Sequence, residues 1–279
     1  MGSVNGTVPV ASIGANVSAN GIRQHYLRYG LKGDPLVLVP GITSPAITWG
    51  FVAERLAARS DVYVLDVRGR GLSSSGPGLD YGLDTLADDL NTFIAALDLS
   101  NVTVLGHSMG ARIAVRSAVR GGDRLGRLIL VDPPVSGPGR RPYPSKLPWY
   151  VDSIEQARVG MDAEAMRAFC PTWSEEQLSL RAEWLHTCYR PAIEAAFDGF
   201  HTDDIHADIP NLHIPTGLMV AGRGGVIEAV DEEEIRKLLP AIDIAHVPST
   251  GHMIPWDDLE GFLSAFDALV GRGRTEPAR

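Results

Sequence analysis

Val104-Leu105-Gly106-His107-Ser108-Met109-Gly110-Ala111-Arg112 is the stretch from which the rest of the chain can be read. The apolar run Val102–Leu105 predicts a buried strand, and the alanine-containing run Ala111–Val119 predicts a helix. A chain that turns this sharply from strand to helix crowds its own backbone. Glycine two residues either side of the turn residue relieves the clash, which is the G-x-S-x-G pattern seen here. Ser108 at the apex is held out at the strand end, with the amide of Met109 and a helix N-terminus beside it. A capping serine in a plain tight turn is the bland alternative, but the strand–turn–helix setting favours a nucleophile elbow.

The 279 residues suit one large α/β domain, or one domain with an insertion, and 44% hydrophobic with 21% charged residues is ordinary for a globular chain. No apolar run approaches the roughly 20 residues that span a bilayer. Met1–Asn16 lacks the basic start and apolar core of a secretory signal and reads as a loose tail. A net charge of −9 without a basic run argues against nucleic acid as a partner. Cys170 and Cys188 have no C-x-x-C partner and read as packed free thiols, consistent with a cytoplasmic protein.

Outward from the elbow, Val17–Gly30 alternates around Asn20-Gly21, a hairpin signal. Pro35–Pro40 is a short apolar strand, followed by a helix over about Ile47–Arg59 and a strand over Asp61–Val67. Leu86, Leu90, Phe93, Ile94 and Leu97 mark a helix over 83–97, and Arg127–Val131 a further strand. This rhythm means parallel βαβ units. It breaks at Pro133. Helices are predicted at 149–161, 163–169, 174–189 and 191–200, a block inserted between two strands and so placed over the strand ends as a cap. Its aromatic residues Trp149, Tyr150, Trp173, Trp184 and Tyr189 either wall a pocket or pack the cap on the core. Strands resume at Thr216–Ala221 and Ile242–Val247, with helices at 231–239 and 257–270. The expected division is a flexible tail 1–16, a core of 17–136 and 211–271, a cap 137–210 and a flexible tail 272–279.

From about Gly14 onward the chain resembles the α/β-hydrolases, whose core is a mostly parallel eight-stranded sheet flanked by helices. Val17–Tyr29, Val39–Trp49, Val131–Arg140 and Ala221–Ile227 are similar, more narrowly, to the N-formylmaleamate deformylases of nicotinate breakdown. His252 follows a late strand in Ser249-Thr250-Gly251-His252, where such a hydrolase presents its base. His107 is expected to pack away from the site. The usual acid position after the cap is a glycine turn, Gly222-Arg223-Gly224-Gly225, so the resemblance assigns the acid to Asp132, with Asp231 as the alternative. The backbone N–H groups of Ile42 and Met109 would form the oxyanion hole.

The resemblance implies hydrolysis of N-formylmaleamate to maleamate and formate by a Ser-His-Asp triad, without metal or cofactor. The substrate carboxylate calls for a cation, with Arg190, Arg181, Arg223 and Arg141 as candidates and Trp149, Tyr150 and Trp184 as wall residues. A carboxylesterase, lactonase or carbon–carbon bond hydrolase would use the same triad, and a small-molecule receptor could use the same fold. Two other patterns carry less. His201-Thr202-Asp203-Asp204-Ile205-His206 does not put its acids and histidines on one helical face for a metal. Gly69-Arg70-Gly71-Leu72-Ser73 lacks a full phosphate-loop pattern, and Asp66-x-Arg68-Gly-x-Gly71-x-Ser73 reads as structural.

Overall fold

Asn20 and Gly21 both sit at positive φ (47° and 71°) and form the tight turn between two antiparallel strands, β1 (Ser12–Ala19) and β2 (Ile22–Tyr29). The computed structural model describes residues 12–271. Strand β1 starts earlier than the alternation suggests: Ser12 pairs with Tyr29 and Asn16 with His25, so residues 12–16 belong to the sheet and not to a tail. Most of these residues are exposed, because β1 is an edge strand, and no apolar pattern betrays them. The expected tails 1–11 and 272–279 lie outside the described residues.

The remaining strands are β3 (Asp34–Val39), β4 (Ser60–Leu65), β5 (Val102–His107), β6 (Leu125–Val131), β7 (Thr216–Ala221) and β8 (Asp243–Val247). They form one eight-stranded sheet in the order β1-β2-β4-β3-β5-β6-β7-β8, with β1 and β2 antiparallel and the rest parallel. Residues 36–39, 104–107 and 216–221 are buried, as expected of strands covered on both faces. The order reverses around β3 and β5. At such a switch point the loops leaving two carboxyl ends diverge and open a crevice.

Helices α1 (Gly50–Leu56), α2 (Leu83–Ala96) and α3 (Met109–Gly121) follow β3, β4 and β5. The helix expected over 47–59 is shorter and opens as a tight 3-10 turn at Ala46–Trp49, whose first N–H donates to Asp66 Oδ1 at 2.6 Å. Between β6 and β7 stand α4 (Leu147–Arg158), α5 (Ala163–Arg167), α6 (Glu175–Trp184) and α7 (Arg190–Thr202). Ser174 and Gln177 close a reciprocal capping box at the start of α6, and Asp162 caps α5. Buried Arg112 on α3 ties this block down, donating to the carbonyls of Pro134 and Ser136 before it and of Gly199 and Asp203 at its end. The chain closes with α8 (Ala229–Leu238), α9 (Ile254–Asp257) and α10 (Leu259–Gly271).

The Asp66–Ser73 loop is structural. Asp66 accepts from the amides of Ala46 and Leu72 and lies 2.7 Å from His25 Nδ1, while Arg68 makes a buried bidentate pair with Asp89.

Candidate active site

The elbow is as tight as its glycines imply. A Cβ on Gly106 would lie 2.4 Å from the carbonyl oxygen of Gly110, and one on Gly110 would lie 1.9 Å from that of Val39. Neither contact involves a side chain that could move aside. Ser108 takes the strain, at φ 54° and ψ −117°, a region that non-glycine residues avoid.

Register then brings the partners together. His107 pairs with Val131 and Val131 with Met219, so the ends of β5, β6 and β7 are level. Asp132 leaves β6 at φ 44°, its N–H donating to the carbonyl of Met219. This places its carboxylate beside the loop that follows β8. There the Nδ1–H of His252 donates to Asp132 Oδ2 at 2.7 Å, and His252 Nε2 stands 3.0 Å from Ser108 Oγ. With Nδ1 protonated, Nε2 is left as the acceptor for the serine proton. Asp132 is fully buried, whereas His252 is partly open to the cavity. Asp231, the alternative acid, is engaged elsewhere: its carboxylate pairs with Arg141 and caps α8 through the amide of Glu228.

His107 does not turn away as expected. It lines the cavity with Ser108, its ring packed 5.3 Å from Trp49 and 4.9 Å from His252. Its Nε2–H donates to the carbonyl of His252 at 3.0 Å. Nδ1 is buried without a partner. Burial, reinforced by the neighbouring His252, pushes its pKa down to about 3, so the ring stays neutral. It braces the backbone of His252.

The loop after β3 carries Gly41, Ile42 and Thr43 along the cavity. Arg70, fully buried, donates through Nε to the carbonyl of Ile42 and through Nη1 to that of Arg68. Its Nη2 reaches Met109 Sδ and the carbonyl of Ala192. One guanidinium therefore touches both residues of the expected oxyanion hole. Met109 opens α3, so its N–H is among the first-turn donors that a helix leaves unpaired.

Gly41, Ile42, Thr43, His107, Ser108 and His252 face a cavity of about 440 Å³ under the cap helices. Trp149 and Tyr150 of α4, Trp173, and Arg181 of α6 line it. The other sequence candidates do not. Arg190 is exposed and pairs with Glu194, Arg141 pairs with Asp231 and Glu228, Arg223 is exposed in the glycine turn, and Trp184 and Tyr189 lie off the lining. Tyr143 is the residue that sequence reasoning missed. It precedes α4 between Pro142 and Pro144, and that stiff proline flank is the signal that could have found it. Its hydroxyl accepts from Tyr150 at 3.3 Å and it lines the cavity beside Ser108, while burial holds its pKa well above the usual tyrosine value. His201 and His206 stay apart from the site, His201 Nδ1 donating to the carbonyl of Phe197.

A family model described as alpha/beta hydrolase fold matches residues 34–259. The chain belongs to the α/β-hydrolase fold family. Among members of that family, it is 70% identical over 253 residues to N-formylmaleamate deformylase of Pseudomonas putida, covering 91% of this chain and 94% of the relative. A crystal structure of the N-formylmaleamic acid deformylase of Pseudomonas putida S16 superposes with a TM-score of 0.88 at 58% identity, covering 91% of this chain and all (100%) of that one. The α/β-hydrolase fold extends to an enol-lactonase from Burkholderia xenovorans LB400, with a TM-score of 0.72 at 17% identity and coverage of 92% and 100%, a likeness of fold alone.

Proposed function

We propose that this α/β-hydrolase cleaves the N-formyl group of N-formylmaleamate, giving maleamate and formate, as a step of nicotinate breakdown. The substrate reading rests on the 70% identity to the Pseudomonas putida deformylase along nearly the whole chain. The serine mechanism is supported by the line Ser108–His252–Asp132, with contacts of 3.0 and 2.7 Å.

The donors along that line fit one protonation pattern. Tyr150 donates to Tyr143. The Nδ1–H form of His252 leaves Nε2, 3.0 Å from Ser108 Oγ, to take the serine proton. Ser108 Oγ attacks the formyl carbon as its proton passes to His252. The new oxyanion rests on the amides of Ile42 and Met109. The formyl C–N bond then breaks, and His252 protonates the departing nitrogen, releasing maleamate. Asp132 keeps the imidazole in its Nδ1–H form and stabilises the imidazolium without taking the proton. Water, deprotonated by His252, attacks the formyl ester on Ser108, and formate leaves as the serine regains its proton. The nitrogen leaves from an imide-like unit, which is easier to expel than a simple amide. Catalysis therefore depends mostly on positioning and on the oxyanion hole.

Among the described residues no helix is long and apolar enough to cross a membrane, and both cysteines are buried free thiols. The free thiols fit a reducing compartment such as the cytoplasm, where this reading puts the enzyme and its small carboxylated substrate. The test is formate release from N-formylmaleamate beside a panel of small esters, lactones and β-diketones. The proposal expects the N-formyl substrate to lead in kcat/KM. Faster turnover of an ester, lactone or diketone would assign the same site to another acyl substrate and overturn the deformylase reading.

A further inference from the structure

Arg70, Arg112 and Arg181 are buried without an ion-pair partner among the described residues. Arg70 and Arg112 direct most of their donors at backbone carbonyls and hold the fold together. Arg181 is different. It is 4% exposed and lines the cavity that contains Ser108. Two of its five N–H groups go to one residue, Nη1 to the carbonyl of Thr43 at 3.0 Å and Nη2 to its hydroxyl at 3.1 Å. Its Nε is buried with no partner. The rings of Trp149 and Trp173 lie 5.9 and 5.6 Å from the guanidinium carbon and screen it from water. Asp257, an acid of the lining, is taken up by the amide of Gly251 and the hydroxyl of Thr172.

A cation shut among aromatic rings, with donors left over and no counter-charge, is costly to keep unless an anion completes it. We propose that Arg181, aimed by Thr43, is the carboxylate anchor of this cavity. It receives the free carboxylate of the substrate in a two-pronged grip while the acyl group sits at Ser108. The naming of the anion as the maleamate carboxylate rests on the deformylase reading; the anchor itself rests on the geometry. Thr43 directly follows Ile42, so one short loop would both aim the anchor and supply the oxyanion amide. Arg181 belongs to α6 in the cap, and Thr43 to the loop after β3. A bound carboxylate would therefore reinforce the junction of cap and core at the moment the acyl group is aligned. The site would select singly anionic, short-chain acyl compounds over their neutral esters.

The test compares wild type with Arg181→Met and Arg181→Lys on N-formylmaleamate and on its neutral methyl ester. The anchor predicts that Arg181→Met loses on the order of 10²- to 10³-fold in kcat/KM on the anion, chiefly through KM, and less than about threefold on the ester. Lysine keeps the charge without the fork and should recover part of the loss. Equal losses on both substrates would make Arg181 a structural pin and overturn the anchor. Should Arg181→Met not fold, Thr43→Val supplies the same comparison, with a rise in KM confined to the anion expected. Calorimetric binding of maleamate to Ser108→Ala and to the Ser108→Ala/Arg181→Met double variant separates the two proposals. Binding that depends on Arg181 without hydrolysis of N-formylmaleamate by wild type overturns the deformylase reading and keeps the anchor. Hydrolysis with binding indifferent to Arg181 does the reverse.

Discussion

Asp132→Asn removes one charge from a fully buried site and leaves the shape of the side chain unchanged. The neighbours decide how the new amide sits. The carboxylate now accepts from His252 Nδ1 at 2.7 Å through Oδ2, and the amide of Ala221 approaches Oδ1 at 3.5 Å. An asparagine keeps its oxygen toward the Ala221 N–H, which can only donate, and turns its NH₂ toward His252. That NH₂ donates to Nδ1, so the ring proton moves to Nε2 and can no longer receive the proton of Ser108. The imidazolium of the transition state also loses its counter-charge. A wrong tautomer of this kind costs about 10⁴ in kcat, or about 5.4 kcal/mol of barrier. The assay is steady-state formate release, with a thermal melt to verify folding. Asp231→Asn is the companion. It loses the charge that pairs with Arg141, while its amide oxygen can still accept from the Glu228 N–H, so it should melt earlier while kcat holds. If Asp132→Asn kept more than about a tenth of the rate and Asp231→Asn lost it, the assignment of the acid, and the tautomer argument with it, would be refuted.

His107 should make the fold sensitive to acid. Its pKa is pushed from 6.5 down to about 3, so the unfolded chain binds a proton that the folded one refuses. The stability it confers is complete above pH 6.5 and is lost as pH falls toward 3, by up to about 1.4 kcal/mol per pH unit. Urea unfolding across that range should show the slope in wild type and a shallower one in His107→Gln; identical slopes would contradict the neutral buried ring. Tyr143→Phe removes a buried hydroxyl that accepts from Tyr150 beside Ser108 in the cavity lining, and should lower kcat about tenfold with little change in KM, the size of one hydrogen bond. An unaltered kcat would show that the hydroxyl does not serve the nucleophile.

What could be read in the chain depended on whether the cause was local. The elbow was legible because Gly106 and Gly110 answer a clash created within a few residues and by the adjoining strand. The hairpin was legible because Asn20 and Gly21 meet a local need for positive φ. The placement of Asp132 beside His252 follows from strand order and register, which align residues 120 apart in sequence. The family resemblance could suggest that pairing; composition and spacing alone could not. Four arginines looked equivalent as anchors, since each lies in a polar or weakly patterned stretch. Only the packing of α6 against the Thr43 loop distinguishes Arg181 from Arg190, nine residues later and exposed on α7. Residues 12–16 escaped notice because an edge strand needs partners for its backbone and little apolar surface. His107 could not be oriented from its place in the motif, because the carbonyl it binds belongs to His252, 145 residues away.

The central claim is that Ser108 carries the formyl group from nitrogen to water. Formate release from N-formylmaleamate by wild type and by Ser108→Ala tests it most directly. The account predicts rapid release by wild type and a fall on the order of 10⁴- to 10⁶-fold in the variant, with the fold intact. Release that survives the loss of the hydroxyl would contradict the serine mechanism.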